Sequence, residues 1–239
     1  MKLLTDAKGR SYLVSEGKDL HCNWGVVKAQ DIDKAKAGEI VESNKAMKFH
    51  VLNPDILDYI KKARRGPQAV TLKDMGLITA YAGIHSGSKV VEAGTGSGLL
   101  SMYLAHTINP GKLVTYELRE DFRAIAIENF ERFGFKNIES KLQNIYDGVD
   151  EKELDAIILD LPEPWDVIPH AQKALKVGGR IVSYSPSVNQ VNKFSTALPE
   201  IFSQETFECI QRHWKPDTMR PDTQMIGHTG FLTVARKLE

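Results

Sequence analysis

The 239-residue chain is 42% hydrophobic and 26% charged, with a formal net charge of zero. That composition suits a globular protein with room for one large domain and a small one, and it excludes a uniformly basic nucleic-acid binder. Met1-Lys2-Leu3-Leu4-Thr5-Asp6-Ala7-Lys8 meets charge too early for a signal peptide, and no apolar run approaches the roughly 18 residues of a membrane span, so a soluble, cytoplasmic protein with no membrane partner is expected.

Short alternating segments open the chain. Residues 9–14, 24–27, 39–41 and 47–52 read as strands separated by Gly, Asp and Asn, which predicts a small β-rich N-terminal domain over residues 1–65. Asn53-Pro54-Asp55 is placed to start a linker helix running to about Ala63, with Pro in its first turn. Residues 1–75 hold 14 Lys and Arg against 10 Asp and Glu, densest at Lys61-Lys62-Ala63-Arg64-Arg65-Gly66-Pro67. Such a run is either a solvated helix end or a phosphate-binding face, and both readings stand.

From about residue 71 apolar runs alternate with amphipathic stretches, the pattern of an α/β domain with a parallel sheet, assigned to residues 66–239. Strands are expected at Val90-Val91, Leu113–Tyr116, Ala156–Leu159 and Arg180–Tyr184. Helices are expected from Gly98 to His106, Glu120 to Phe133, Trp165 to Leu175 and Asn189 to Phe202, with Gly178-Gly179 as a helix stop. Glu205–Trp214 and His228–Ala235 read as a closing antiparallel pair. Cys22 and Cys209 form no CxxC motif and are expected as buried thiols; His21, His50, His85, His106, His170 and His213 show no metal-ligand spacing, and no metal site is expected.

The segment Glu92-Ala93-Gly94-Thr95-Gly96-Ser97-Gly98 follows a strand and precedes a helix, where bare backbone lets a nucleoside-bearing ligand approach. Gly98 comes two residues after Gly96 rather than three, a poor fit to the dinucleotide fingerprint. Glu117 ends the next strand about 20 residues after the glycines, in place to accept hydrogen bonds from ribose hydroxyls; the alternative is an ordinary surface acid. Asp160-Leu161-Pro162-Glu163-Pro164-Trp165 follows the fourth strand, where Asp160 is either a reacting group or a helix cap. Trp165 and Tyr184 are candidate walls for a base, or plain core residues.

Those features resemble the S-adenosylmethionine site of Rossmann-like class I methyltransferases. The resemblance implies cofactor contacts from Glu92, Gly94, Thr95, Gly96, Ser97, Gly98, Glu117, Leu118, Asn144, Ile145 and Asp160, with Glu92 near the methionine portion and Asn144 near the adenine, where many relatives carry an acid. Together with Arg65-Gly66-Pro67-Gln68, Lys73-Asp74, Arg220-Pro221 and Gly227-His228-Thr229-Gly230, the glycine loop and the Asp160 loop resemble the tRNA adenine-N1 methyltransferase family over nearly the whole chain. Membership would imply methylation of T-loop adenine 58, or 57 and 58, in tRNA by a homotetramer. Asp160 would be the catalytic group, and Arg64, Arg65, Trp165, Tyr184, Arg220 and His228 would meet the substrate. Where the family often has Tyr or His before its Lys-Asp pair, this chain has Val70-Thr71-Leu72. A protein or small-molecule methyltransferase, or a non-catalytic tRNA-binding subunit, are the competing readings.

Overall fold

A computed structural model describes residues 1–66 and 68–239; Pro67, inside the basic run and the Arg65–Gln68 segment, lies outside the described residues. The chain divides into two compact units, Met1–Ala63 and Arg64–Glu239.

In the first unit, β1 (Lys2–Thr5), β2 (Ser11–Val14), β5 (Ile40–Glu42) and β6 (Lys48–Leu52) form an antiparallel sheet in the order β2-β1-β6-β5, and β3 (Leu20–Cys22) pairs with β4 (Gly25–Val27). Alternation in β6 buries Phe49 and Val51 while Lys48, His50 and Leu52 face outward. Leu4, Val27, Ile32 and Phe49 fill the core. Strands β1 and β3 and helix α1 (Ala29–Lys34) carry too short an apolar pattern to be read from sequence. Helix α2 (Ile56–Lys62) starts two residues after Pro54: Asp55 is the N-cap and closes a capping box with Asp58, leaving Pro54 outside the helix.

The second unit holds β7 (Val90–Ala93), β8 (Leu113–Glu117), β9 (Ile138–Leu142), β10 (Leu154–Leu159), β11 (Leu175–Ser185), β12 (Phe202–Phe207) and β15 (Phe231–Lys237) in one sheet, ordered β12-β15-β11-β10-β7-β8-β9. Pairings from β9 through β11 are parallel, while β15 runs antiparallel to both β11 and β12. Burial on both faces explains why β7, β8 and β10 read as continuous apolar runs. Helices α3 (Leu72–Tyr81), α4 (Leu99–Ile108), α5 (Glu120–Phe133), α6 (Ile168–Ala174) and α7 (Val188–Ala197) are joined to these strands. Chain order reverses between β7 and β10, a switch point at whose carboxyl edge a crevice is expected.

Several expectations are corrected. Gly178-Gly179 does not stop a helix: α6 ends at Ala174, and the pair lies within β11, where pairing with β10 jumps from Leu154↔Leu175 to Ala156↔Arg180. Gly178 has φ +82°, and a Cβ on Gly179 would approach the Leu154 carbonyl oxygen to 2.8 Å, so the glycines serve a bulge. Helix α7 ends at Ala197, ahead of Pro199, and Phe202 begins β12 instead of ending the helix. Trp214 falls in a two-residue strand, β13 (Trp214–Lys215), paired with β14 (Arg220–Pro221), and His228 precedes β15. Cys22 is half-buried and Cys209 exposed, because Cys209 lies in the connection after β12.

Candidate active site

A cavity of about 410 Å³ opens at the crevice, lined by residues from the loops after four parallel strands: Gly94 and Gly96, Glu117 and Leu118, Asn144 and Ile145, and Asp160. Of the predicted cofactor residues these seven meet there. The remaining four stand behind it.

Gly94 (φ +92°) and Gly96 (φ +54°) adopt the left-handed region that L side chains avoid. A Cβ on Gly94 would sit 2.1 Å from the Asp160 carbonyl oxygen, so the strand ends touch only because that side chain is missing. Gly98 serves packing instead. A Cβ there would meet the Phe130 ring at 2.5 Å, and its absence lets α4 start against α5. Thr95 bonds Thr115 Oγ1 at 2.6 Å and the Tyr116 carbonyl at 3.1 Å, and Ser97 Oγ accepts from the Gly66 amide at 2.8 Å. Thr95, Ser97 and Gly98 therefore shape the loop rather than line the cavity. Buried Asn129 completes the frame, bonding both backbone groups of Arg64 and the Ser97 carbonyl.

Glu117 is no surface acid. It is buried, its Oε2 accepting from the Gly96 amide at 2.8 Å and its Oε1 from the Arg119 amide at 3.0 Å. These bonds fix the carboxylate at the cavity while each oxygen keeps a lone pair. Glu92 is buried deeper. Ser101 donates to its Oε2, whereas Oε1 has no partner among the described residues. Burial pushes the Glu92 carboxyl up to about 8, with Asp160 and Glu117 adding repulsion against the bonds from Ser101 and Thr115. An orphaned buried oxygen costs free energy and marks a place for a donor or cation.

Asp160 does not cap a helix, since the following turn starts at Pro164 with Glu163 before it. Its amide donates to the Ala93 carbonyl at 3.0 Å, and its carboxylate has no hydrogen-bond partner among the described residues. Burial raises that carboxyl to about 6. Tyr184, on β11, donates to the Thr229 carbonyl at 2.7 Å; burial, with Asp74 and Asp160 nearby, pushes its hydroxyl up to about 12. Lys73 binds both Asp74 and Thr229 Oγ1, tying the start of α3 to the same segment.

The other predicted substrate residues lie elsewhere. Trp165 packs on the core with the Lys193 ammonium 4.7 Å from its ring centroid. His228 uses both ring nitrogens, toward Glu208 at 2.9 Å and the Pro186 carbonyl at 3.0 Å, and the Glu208 bond raises its pKa. Arg64 pairs with Glu128, while exposed Arg65 and Arg220 have no side-chain partner among the described residues. Sequence reasoning missed Gln68, Arg119 and Phe122 in the cavity wall. Phe122 follows Glu117 by five residues in the first turn of α5, so its proximity to a strand-end acid was the available signal.

The chain and its fold are similar to those of known proteins. A family model described as the tRNA methyltransferase complex GCD14 subunit matches residues 63–219. The chain belongs to this family. The tRNA (adenine(57)-N(1)/adenine(58)-N(1))-methyltransferase TrmI of Methanocaldococcus jannaschii is 37% identical over 98% of this chain and 94% of its own length. A crystal structure described as a SAM-dependent O-methyltransferase from Thermotoga maritima superposes with a TM-score of 0.88 at 32% identity, covering 100% of this chain and 92% of that one. The tRNA (m1A58) methyltransferase TrmI of Aquifex aeolicus gives a TM-score of 0.82 at 26% identity, covering 100% and 96%. The fold of this GCD14-family chain is thus that of class I methyltransferases, with a small N-terminal β unit. No helix among the described residues is long and apolar enough to cross a membrane.

Proposed function

We propose that the chain transfers the methyl group of S-adenosylmethionine to N1 of a T-loop adenine in tRNA, at position 58 or at 57 and 58. The observation that carries this reading is the unpartnered Asp160 carboxylate on the wall of the cavity that also holds the Gly94-Gly96 turn and Glu117. The residues fit the cofactor: bare backbone at Gly94 and Gly96, a carboxylate at Glu117 for two ribose hydroxyls, apolar Leu118 and Ile145 for a base, and, behind the cavity wall, an unpartnered Glu92 oxygen suited to a cationic group.

When bound, S-adenosylmethionine supplies a methyl on a cationic sulfur. Held by Gly94, Gly96 and Glu117, it would give that methyl to the adenine N1 lone pair, leaving the sulfur neutral and the positive charge on the base. Asp160 accepts a hydrogen bond from the adenine 6-amino group, which orients N1, and its charge stabilises the cation as it forms. No base is needed to activate N1, which distinguishes this acceptor from a hydroxyl.

Tyr184 forms a wall for the extruded base, and Arg65 and Arg220 meet tRNA phosphate. Trp165 and His228 act behind them, holding the Asp160 loop and the segment before β15. A cytoplasmic homotetramer is the assembly this reading favours, supported by exposed Ile210, Trp214, Met219, Met225 and Ile226 on one connection, apolar area suited to burial between copies. Incubation with unmodified tRNA and S-adenosylmethionine, followed by nucleoside mass spectrometry, tests the function: 1-methyladenine in the T-loop is expected, and methylation of another base or none overturns it.

A further inference from the structure

Resting on that reading, we infer that Asn144 recognises the cofactor's adenine as a hydrogen-bond donor, to an accepting ring nitrogen, and not as an acceptor from the 6-amino group. Asn144 stands at the end of β9, beside the Glu117 strand end, and lines the cavity where a base attached to a Glu117-bound ribose would lie. Its side chain also caps the short helical turn Ile145–Asp147: Oδ1 accepts from the Tyr146 amide at 3.2 Å. A backbone N–H can donate only to the oxygen of a carboxamide, so this bond fixes which end of the group points where. The oxygen is already engaged by the Tyr146 amide, and the NH₂ group, which has no partner among the described residues, is the end whose full capacity is open to a ligand.

The chemistry of the two ends differs in sign. An aspartate at this place would cap Tyr146 with one oxygen and offer the second to the adenine 6-amino group, whereas the asparagine NH₂ can only donate. Adenine has two accepting nitrogens beside that amino group, N1 and N7. Asn144 therefore makes the site depend on a ring nitrogen, and it sets the polarity of base recognition without changing the local backbone.

Calorimetry with S-adenosylhomocysteine and three analogues tests this, using the full chain. Loss of one neutral hydrogen bond corresponds to a change on the order of fivefold in affinity. The wild type is expected to lose about that much for either the 1-deaza or the 7-deaza analogue and little for the analogue lacking the 6-amino group. In Asn144→Asp, which keeps the Tyr146 cap, the deaza penalty should vanish and the amino-less analogue should become the weaker ligand. Equal binding of both deaza analogues by the wild type, or a wild-type penalty for the missing amine that matches that of Asn144→Asp, overturns the inference while leaving the cofactor site intact. Failure of S-adenosylhomocysteine itself to bind overturns the proposed function as well.

Discussion

The Asp160 carbonyl oxygen would lie 2.1 Å from a Cβ placed on Gly94. Two loops meant to face one ligand are thus packed backbone to backbone, at a residue whose φ of +92° already disfavours any side chain. Gly94→Ala must push the β7 and β10 loops apart, moving Gly96 and Asp160 together. Cofactor affinity is expected to fall at least about tenfold, since displacement of this order removes several contacts at once. Calorimetry on a variant whose circular dichroism matches the wild type measures it; unchanged affinity would show that the two loops do not share a ligand.

Asp160 sets the next expectation. With its carboxyl raised to about 6 by burial, it is mostly ionised at neutral pH and becomes protonated as the pH falls below that value. Turnover should therefore rise with pH and level off above about 6 to 7. Asp160→Ala should bind S-adenosylmethionine nearly as the wild type does while losing on the order of a hundredfold in kcat, the size expected for a group that acts mainly in the transition state. Rates within a few fold of wild type, or a pH profile flat from 5 to 8, refute the role.

What the sequence discloses follows from how locally each feature is encoded. Helix α5 is legible to its end residues because an acidic first turn, a periodic apolar face and the left-handed Gly134 cap all belong to one continuous stretch. Glycine spacing marks the turn after β7, but it cannot tell Gly94 and Gly96, which line the cavity, from Gly98, which packs against Phe130. That distinction depends on a neighbour 32 positions away. Likewise, nothing near Gly178-Gly179 announces a bulge, because its partner is the Leu154 carbonyl on another strand. The open hydrogen-bond capacity of Asp160 and Glu92 is equally out of reach, as it depends on what surrounds them in space.

Glu92 yields a proton-linked prediction. Its carboxyl, raised to about 8, holds a proton at pH 7 in the free protein, and a cationic ligand group near the orphaned Oε1 favours its loss. Cofactor binding at pH 7 should release up to about one proton, and affinity should rise with pH until about 8. Calorimetry in buffers of different ionisation enthalpy counts the protons, and the release should disappear in Glu92→Gln. The sign for stability is opposite. Between about 4.5 and 8 the folded state binds more protons than the unfolded one, so stability of the free protein falls as pH rises through that window. Proton uptake on binding would place Glu92 away from the cationic end.

Arg65 and Arg220 are both exposed with no ion pair or side-chain hydrogen bond among the described residues, unlike Arg64, which is held by Glu128. A cation already paired must give up its partner before it meets phosphate, so the unpaired two should carry more of the electrostatic contact. Replacing both with Ala should weaken tRNA binding and reduce the slope of log K against log salt by roughly 1.4 to 1.8, from about 0.7 to 0.9 per phosphate contact. Arg64→Ala should change the slope less than either single replacement. Filter binding between 50 and 200 mM salt reads the slopes, with calorimetry confirming that cofactor affinity is retained. A slope unchanged in the double variant would move the tRNA contact away from these two residues, toward Lys61 or the segment around Lys215.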